Sequence, residues 1–234
     1  MILLATVLAA CANPTEETVV QLIENGRFSE AQAEAKKHPA KGDELVRISA
    51  FLYHGAGITD SAILYLRKAE ETTPKDPRIM LRLAEALVWK KSLAAAQDIV
   101  DAVSVKEIAK DPRPWEPAMR RAIIYVFLHE LGQARNGFLM VVNDPKTPSS
   151  WTLSARVYLA QIAAWNKDFP SCIAIADSVL RGNPGHVDAS LIKGQVQEWQ
   201  GNYADARTTY TQALQKHPDD WQLRQRLEKL SWVK

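Results

Sequence analysis

Three observations on this 234-residue chain predict an all-α fold built from stacked helical hairpins. Ten glycines and 12 prolines are too few to serve the tight turns of many short strands. Segments of about 34 residues recur with small side chains at matching places. The chain also closes on a stretch whose leucines fall on one helical face. Apolar residue types make up 47%, enough for one large core or two small ones, which argues against intrinsic disorder. Charge is balanced, with 29 Lys and Arg against 27 Asp and Glu and no basic stripe, which disfavours a nucleic-acid partner. Seven tryptophans is a high count: Trp89, Trp115, Trp151, Trp165, Trp199, Trp221 and Trp232.

Residues 1–10 are uncharged and mostly apolar, about half the ~20 residues that a membrane-spanning helix needs, and read as a removed signal segment. The stretch ends Leu8-Ala9-Ala10-Cys11, which resembles the lipobox of bacterial lipoproteins. That resemblance implies lipidation of Cys11, and Ala12 after it implies sorting to the outer membrane. No Lys or Arg precedes the apolar run, a departure from the usual signal pattern. Residues 11–14 would form a short lipid-anchored tether that holds the domain close to the membrane surface. With Cys11 acylated, Cys172 has no partner for an intramolecular disulfide.

Residues 15–218 carry the repeats. Gly201-Asn202-Tyr203-Ala204-Asp205-Ala206, followed by Tyr210, Ala213-Leu214 and Pro218, aligns at an offset of 34 with Lys167-Asp168-Phe169-Pro170-Ser171-Cys172, followed by Ala176, Val179-Leu180 and Pro184. Traced back, the small anchor becomes Ala31, Ala62, Ala96, Ala134, Cys172 and Ala206, which defines six units spaced by 31, 34, 38, 38 and 34 residues. Twelve residues before the last five anchors stand Ala50, Ala84, Ala122, Ala160 and Gly194, a second small position where paired helices would approach closely. Pro39, Pro74, Pro184 and Pro218 fall between units, and Asp76-Pro77 has the form of a cap followed by a first-turn proline. Pro170 is tolerated at the first turn of a second helix. The two longer spacings place extra residues near Val105 to Asp111 and near Asp144 to Ser149.

In this register the chain resembles the tetratricopeptide repeat family, whose unit is two antiparallel helices with small residues where they cross. The resemblance implies a right-handed superhelical array of about six helix-turn-helix repeats, although the family's Trp near the start of the first helix is missing from all six units. Residues 219–234 complete it as a C-terminal capping helix starting at Asp219 or Asp220, with Leu223, Leu227 and Leu230 on one face. Trp221 lies off that face and is expected to anchor the helix start. Trp115, Trp151 and Trp232 are assigned to packing between units or to loop anchoring.

Catalytic chemistry finds no foothold. His129-Glu130 begins like a zinc-protease motif, but Gln133 stands where the second His belongs. His38, His54, His186 and His217 are scattered and read as solvated loop residues. There is no glycine-rich phosphate loop, no Gly-x-Ser-x-Gly elbow and no Cys-x-x-Cys pair. Cys172 sits at a small crossing position and reads as a buried structural thiol. No catalytic residue, metal or cofactor is expected.

The family that this chain resembles lines its concave groove with first-helix positions 2, 5, 9, 12 and 13. With each anchor at position 20, position 13 of units three to six is Trp89, Phe127, Trp165 and Trp199. Position 5 is Leu81, Met119, Val157 and Leu191, and position 9 is Glu85, Ile123, Gln161 and Gln195. Spacings of three and four residues put positions 2, 5, 9 and 13 on one helical face. One reading is an aromatic and aliphatic stripe that receives a partner segment, with Glu85, Gln161, Gln195 and Glu198 supplying polar contacts. The other is that the rings are core, and exposure decides between them.

The expectation is a non-enzymatic protein-binding scaffold, lipid-anchored at the periplasmic face of the outer membrane, whose partners are envelope proteins. It resembles small Gram-negative repeat lipoproteins that help assemble pilus or secretion machines. Alternatives are an adaptor for a cell-wall hydrolase, a self-associating structural protein that forms a homodimer, and a cytoplasmic protein if the start is misread.

Overall fold

The computed structural model describes residues 59–232 together with residues 22, 27, 30, 33, 34 and 57. The expected signal segment 1–10, Cys11 with its tether 11–14, the anchor Ala31 and the small residue Ala50 lie outside the described residues. Eleven helices and no strand occur among the described residues. They are α1 (Thr59–Thr72), α2 (Pro77–Trp89), α3 (Leu93–Ala102), α4 (Val105–Ile108), α5 (Trp115–Phe127), α6 (Leu131–Asn143), α7 (Ser149–Trp165), α8 (Phe169–Gly182), α9 (Val187–Trp199), α10 (Tyr203–Lys216) and α11 (Trp221–Ser231). The chain divides into two compact units, Met1–His129 and Glu130–Lys234.

Local sequence explains where these helices start. Asp76 caps α2 by accepting from the Arg78 amide at 2.8 Å, and Pro77 follows in the first turn, where its missing N–H costs nothing. Asp168 caps α8 through the Ser171 amide at 3.2 Å, with Pro170 in the first turn. Of the two candidate starts for the last helix, Asp220 is the cap, accepting from the Leu223 amide at 2.9 Å. The added residues of the longer spacings become the one-turn α4 and, around 144–149, a loop leading into the 17-residue α7.

The turns that join first to second helices share one backbone solution. Gly57, Lys91, His129, Lys167 and Gly201 occupy the same repeat position, and all five have a left-handed φ between 60° and 78°. After α2, the Ser92 amide reaches back to the Leu87 carbonyl at 2.9 Å, and Asp168 to Ala163 and Asn202 to Gln197 repeat the bond. This closure satisfies carbonyls that the helix end would otherwise leave unpaired. At Lys91, His129 and Lys167 the left-handed residue carries a side chain, so composition alone did not mark the turn.

Small residues sit where the helices cross. Ala62, Ala84, Ala96, Ala122, Ala134, Ala160, Cys172 and Ala206 are all at most 1% exposed. At Gly194 on α9 the approach is closest: a Cβ there would lie 2.3 Å from Cε1 of Tyr210 on α10. Only glycine lets that ring lie flat against the helix.

Within Met1–His129, α2 packs against α1, α3 and α5. Beside it, the Tyr125 hydroxyl donates to Asp101 at 2.7 Å and accepts from Arg121 at 3.0 Å. Burial and the Asp101 carboxylate push that phenol up to about 12. Within Glu130–Lys234, successive helices from α6 to α11 pack on one another, and α9 also touches α7 and α11. One core cluster joins Ala160, Ala164, Cys172, Ile192 and Val196, and another joins Ala206, Tyr210, Ala213, Leu223 and Leu230. Leu223 and Leu230 thus seat α11 as a cap, with Leu227 partly buried beside them. Trp232 corrects its assignment to packing: it is 83% exposed, because it stands just beyond the end of α11.

Candidate functional site

The unit Glu130–Lys234 contains a groove of about 580 Å³ walled by the first-type helices α7, α9 and α11. Its lining follows the repeat register. Position 2 contributes Ser154, Asp188 and Gln222; position 5 contributes Val157, Leu191 and Gln225; position 9 contributes Gln161 and Gln195. A spacing of 34 residues makes α11 equivalent to the first helix of a further repeat, so the capping helix is also a wall of the groove. Side chains three and four residues apart share one face of each helix, which is why a 34-residue repeat brings these residues together.

The floor is apolar and the walls carry amides. Val157 and Leu191 are partly buried against the two core clusters, with Ile192 beneath. Tyr158 also lines the groove and stacks on Phe138 with ring centroids 4.7 Å apart. Gln161, Gln195, Gln222 and Gln225 each present an amide, which can donate and accept at once and so suits a peptide backbone.

Four of the sequence-predicted residues, Val157, Gln161, Leu191 and Gln195, therefore line one groove. Others do not. Leu81 and Met119 were expected to line a groove, but they are 0% and 4% exposed; α2 and α5 pack against each other, and position 5 in this unit is core. Glu85 was expected to meet a partner, yet its carboxylate is ion-paired with Arg120. Glu198 likewise accepts from the Tyr210 hydroxyl and pairs with Arg226 at 3.7 Å, so it braces α9 against α10 and α11. Burial, and then this carboxylate, hold the Tyr210 phenol far above its ordinary value.

The aromatic position-13 residues are not core. Trp89, Phe127, Trp165 and Trp199 are 53%, 43%, 47% and 49% exposed. Each is the last residue of its helix, so it stands at a turn, and Trp165 and Trp199 are not among the groove-lining residues. Trp89 and Phe127 approach within 5.4 Å in one unit, and Trp199 meets Phe169 at 6.0 Å in the other.

The remaining lining residues were missed from sequence, and for two of them the sequence reading pointed elsewhere. Trp221, expected to anchor the start of α11, is 66% exposed and lines the groove, because burying Leu223 turns it outward. His186, read as a loop residue, caps α9 by accepting from the Ala189 amide and also lines the groove. No group of three metal-ligating side chains occurs among the described residues, and no helix among them is long and apolar enough to cross a membrane.

Comparison with known proteins agrees with this architecture. The tetratricopeptide repeat description matches residues 53–116 and again residues 159–221. The fission yeast (Schizosaccharomyces pombe) DnaJ homolog subfamily C member 7 homolog is 31% identical over 106 residues, which cover 43% of this chain and 21% of that protein. The crystal structure of PilW, a widely conserved type IV pilus biogenesis factor, aligns with a TM-score of 0.68 and 17% identity over 94% of this chain and 100% of PilW. A tetratricopeptide repeat protein from Parabacteroides merdae aligns with a TM-score of 0.62 and 18% identity over 82% of this chain and 72% of that one. At such identities the structural likeness establishes the fold. Repeat register, helix pairing and both sequence matches agree: this chain belongs to the tetratricopeptide repeat family.

Proposed function

We propose that this protein is a non-enzymatic scaffold that holds an extended segment of a partner protein in the groove between α7, α9 and α11. The tetratricopeptide repeat fold supports a protein–protein interaction scaffold. The observation that carries the finer reading is the groove itself, with an apolar floor and four glutamine amides along three helices in repeat register. Apolar floor positions would take side chains, while amides would pair with the partner's backbone.

The partner we infer is a cell-envelope protein, in the setting of pilus or secretion machinery. Support comes from the Leu8-Ala9-Ala10-Cys11 sequence and from the structural likeness to PilW, a pilus biogenesis factor. In this reading Cys11 is lipidated and the protein faces the periplasm from the outer membrane. The test places a photo-crosslinking amino acid at Gln195 in the groove, or at exposed Ala174 on α8 as a control, in the full chain expressed in cells. A discrete envelope-protein adduct from position 195 and none from 174 is expected. No adduct at 195, or the same adduct from both sites, refutes the groove. Mass spectrometry of the same preparation checks Cys11: an unmodified cysteine still preceded by residues 1–10 refutes the anchor.

A further inference from the structure

In the unit Glu130–Lys234 the large apolar side chains left exposed among the described residues are Trp165, Trp199, Tyr203, Trp221 and Trp232, with no aliphatic side chain and no phenylalanine among them. Four of the five gather at one end of the helices. Trp165 and Trp199 are the last residues of α7 and α9, Trp232 follows the last residue of α11, and Tyr203 opens α10 just after the turn that Trp199 begins. Because α7, α9 and α11 wall one groove in repeat register, they run the same way and end on the same edge. Packed helices lie about 10 Å apart, so the tryptophans form a spaced row along that edge. At the other end of the same helices the exposed large apolar side chain is Trp221, beside the exposed carboxylates of Asp188 and Asp219.

The charges beside the row cancel. Exposed Lys167 adjoins Asp168, Asp205 stands two residues from Arg207, and Glu228 adjoins Lys229 in the last turn of α11. A patch without net charge has no electrostatic preference for an acidic or a basic partner, so attraction falls to the rings. Each ring joins a large apolar body to a single N–H or O–H, the kind of side chain that concentrates where bilayer hydrocarbon meets the headgroups. The stems of Lys167, Arg207 and Lys229 can lie along acyl chains with their charged ends among phosphates. A protein partner or a second copy needs a contiguous dry core, and rings a helix apart with exposed Asn166, Lys167 and Gln200 between them do not make one. A fluid bilayer surface receives separate rings one by one.

We propose that the edge carrying Trp165, Trp199, Tyr203 and Trp232 docks on a phospholipid bilayer, with its rings seated at the headgroup level. This goes beyond the groove reading and needs no lipid on Cys11. With charges balanced, binding is expected on zwitterionic vesicles as well as anionic ones and is expected to be insensitive to salt.

The test sediments the full chain carrying Cys11→Ser, which removes the lipidation site, with sucrose-loaded phosphatidylcholine vesicles. Combining Trp165→Ser, Trp199→Ser and Trp232→Ser should lower partitioning by about tenfold or more, as expected from the apolar area withdrawn from the bilayer. Trp232→Ser alone removes a ring that is 83% exposed and so leaves packing intact; it should lower partitioning by about threefold. Trp221→Ser, at the other end of α11, should leave it unchanged, and circular dichroism confirms that each variant is folded. An environment-sensitive fluorophore on Gln200→Cys, between Trp199 and Tyr203, should brighten and shift to the blue on vesicles, whereas the same label on Asp219→Cys should not; Cys172 is buried. No partitioning of the Cys11→Ser chain, equal partitioning of the triple variant, or the same fluorescence response at 200 and 219 overturns the proposal. A concentration-dependent dimer in sedimentation velocity that the triple variant loses also overturns it and assigns the edge to a second copy.

Discussion

Replacing Gly194 with alanine tests the helix-crossing geometry at its tightest point. The added Cβ would lie 2.3 Å from Cε1, 2.4 Å from Cζ and 2.9 Å from Cδ1 of Tyr210, where ordinary contact begins at 3.4 Å. The ring must therefore retreat by about 1 Å, and it has no free space to enter. Tyr210 is 0% exposed, and its hydroxyl is held by Glu198. Overpacking of this kind costs about 1–3 kcal/mol, and the immobile ring puts the case toward the upper end. Alanine offsets about 1 kcal/mol through its better helix propensity. A net destabilisation of about 1–2 kcal/mol is expected, read as a lower urea midpoint by far-ultraviolet circular dichroism. Combining Gly194→Ala with Tyr210→Leu should cost less than the sum of the single changes, because the clash disappears with the ring. A Gly194→Ala variant as stable as the parent or more so would show that α9 and α10 do not approach this closely, and the reasoning would fail.

Two other outcomes concern particular groups. Cys172 is 0% exposed, and its thiol is pushed up to about 11 by burial and by the nearby Asp168. In a Cys11→Ser background at pH 8 it should stay unlabelled by a maleimide in the native protein and label fully in denaturant. At Asp76 burial pushes the carboxyl up, but hydrogen bonds from Arg78, its charge and the Ile79 amide outweigh that and leave it below the ordinary aspartate value. A depressed folded value means that its stabilisation is present above the unfolded pKa and is lost as pH falls through the folded one. Urea midpoints of the parent and Asp76→Ala should differ by a constant amount at neutral pH and converge in acid; a gap that persists in acid would contradict the assignment.

The small-residue anchors were legible because a crossing constrains one side chain at a time. Wherever two helices meet at Ala84 and Ala96, or at Gly194 and Ala206, volume alone is selected, and volume is visible in a sequence. The caps at Asp76, Asp168 and Asp220 were legible for a similar reason, since each bond spans two or three residues. The left-handed turn at Lys91 and Lys167 was not, because the hydrogen bonds that hold it tolerate lysine where glycine would have announced it.

The sequence by itself determined the repeat, its register and the helical face on which Val157, Gln161, Leu191 and Gln195 lie together. Tertiary structure alone decided which residues of that face remain open. Leu81 and Val157 hold the same repeat position, yet Leu81 is core and Val157 lines a groove. Exposure is a property of what packs on top, and that neighbour comes from a different repeat. The same holds for charge: Glu85 and Glu198 look free in sequence but are engaged by Arg120, Tyr210 and Arg226. Local periodicity sets direction along one helix, and only the packing of several helices sets what that direction meets.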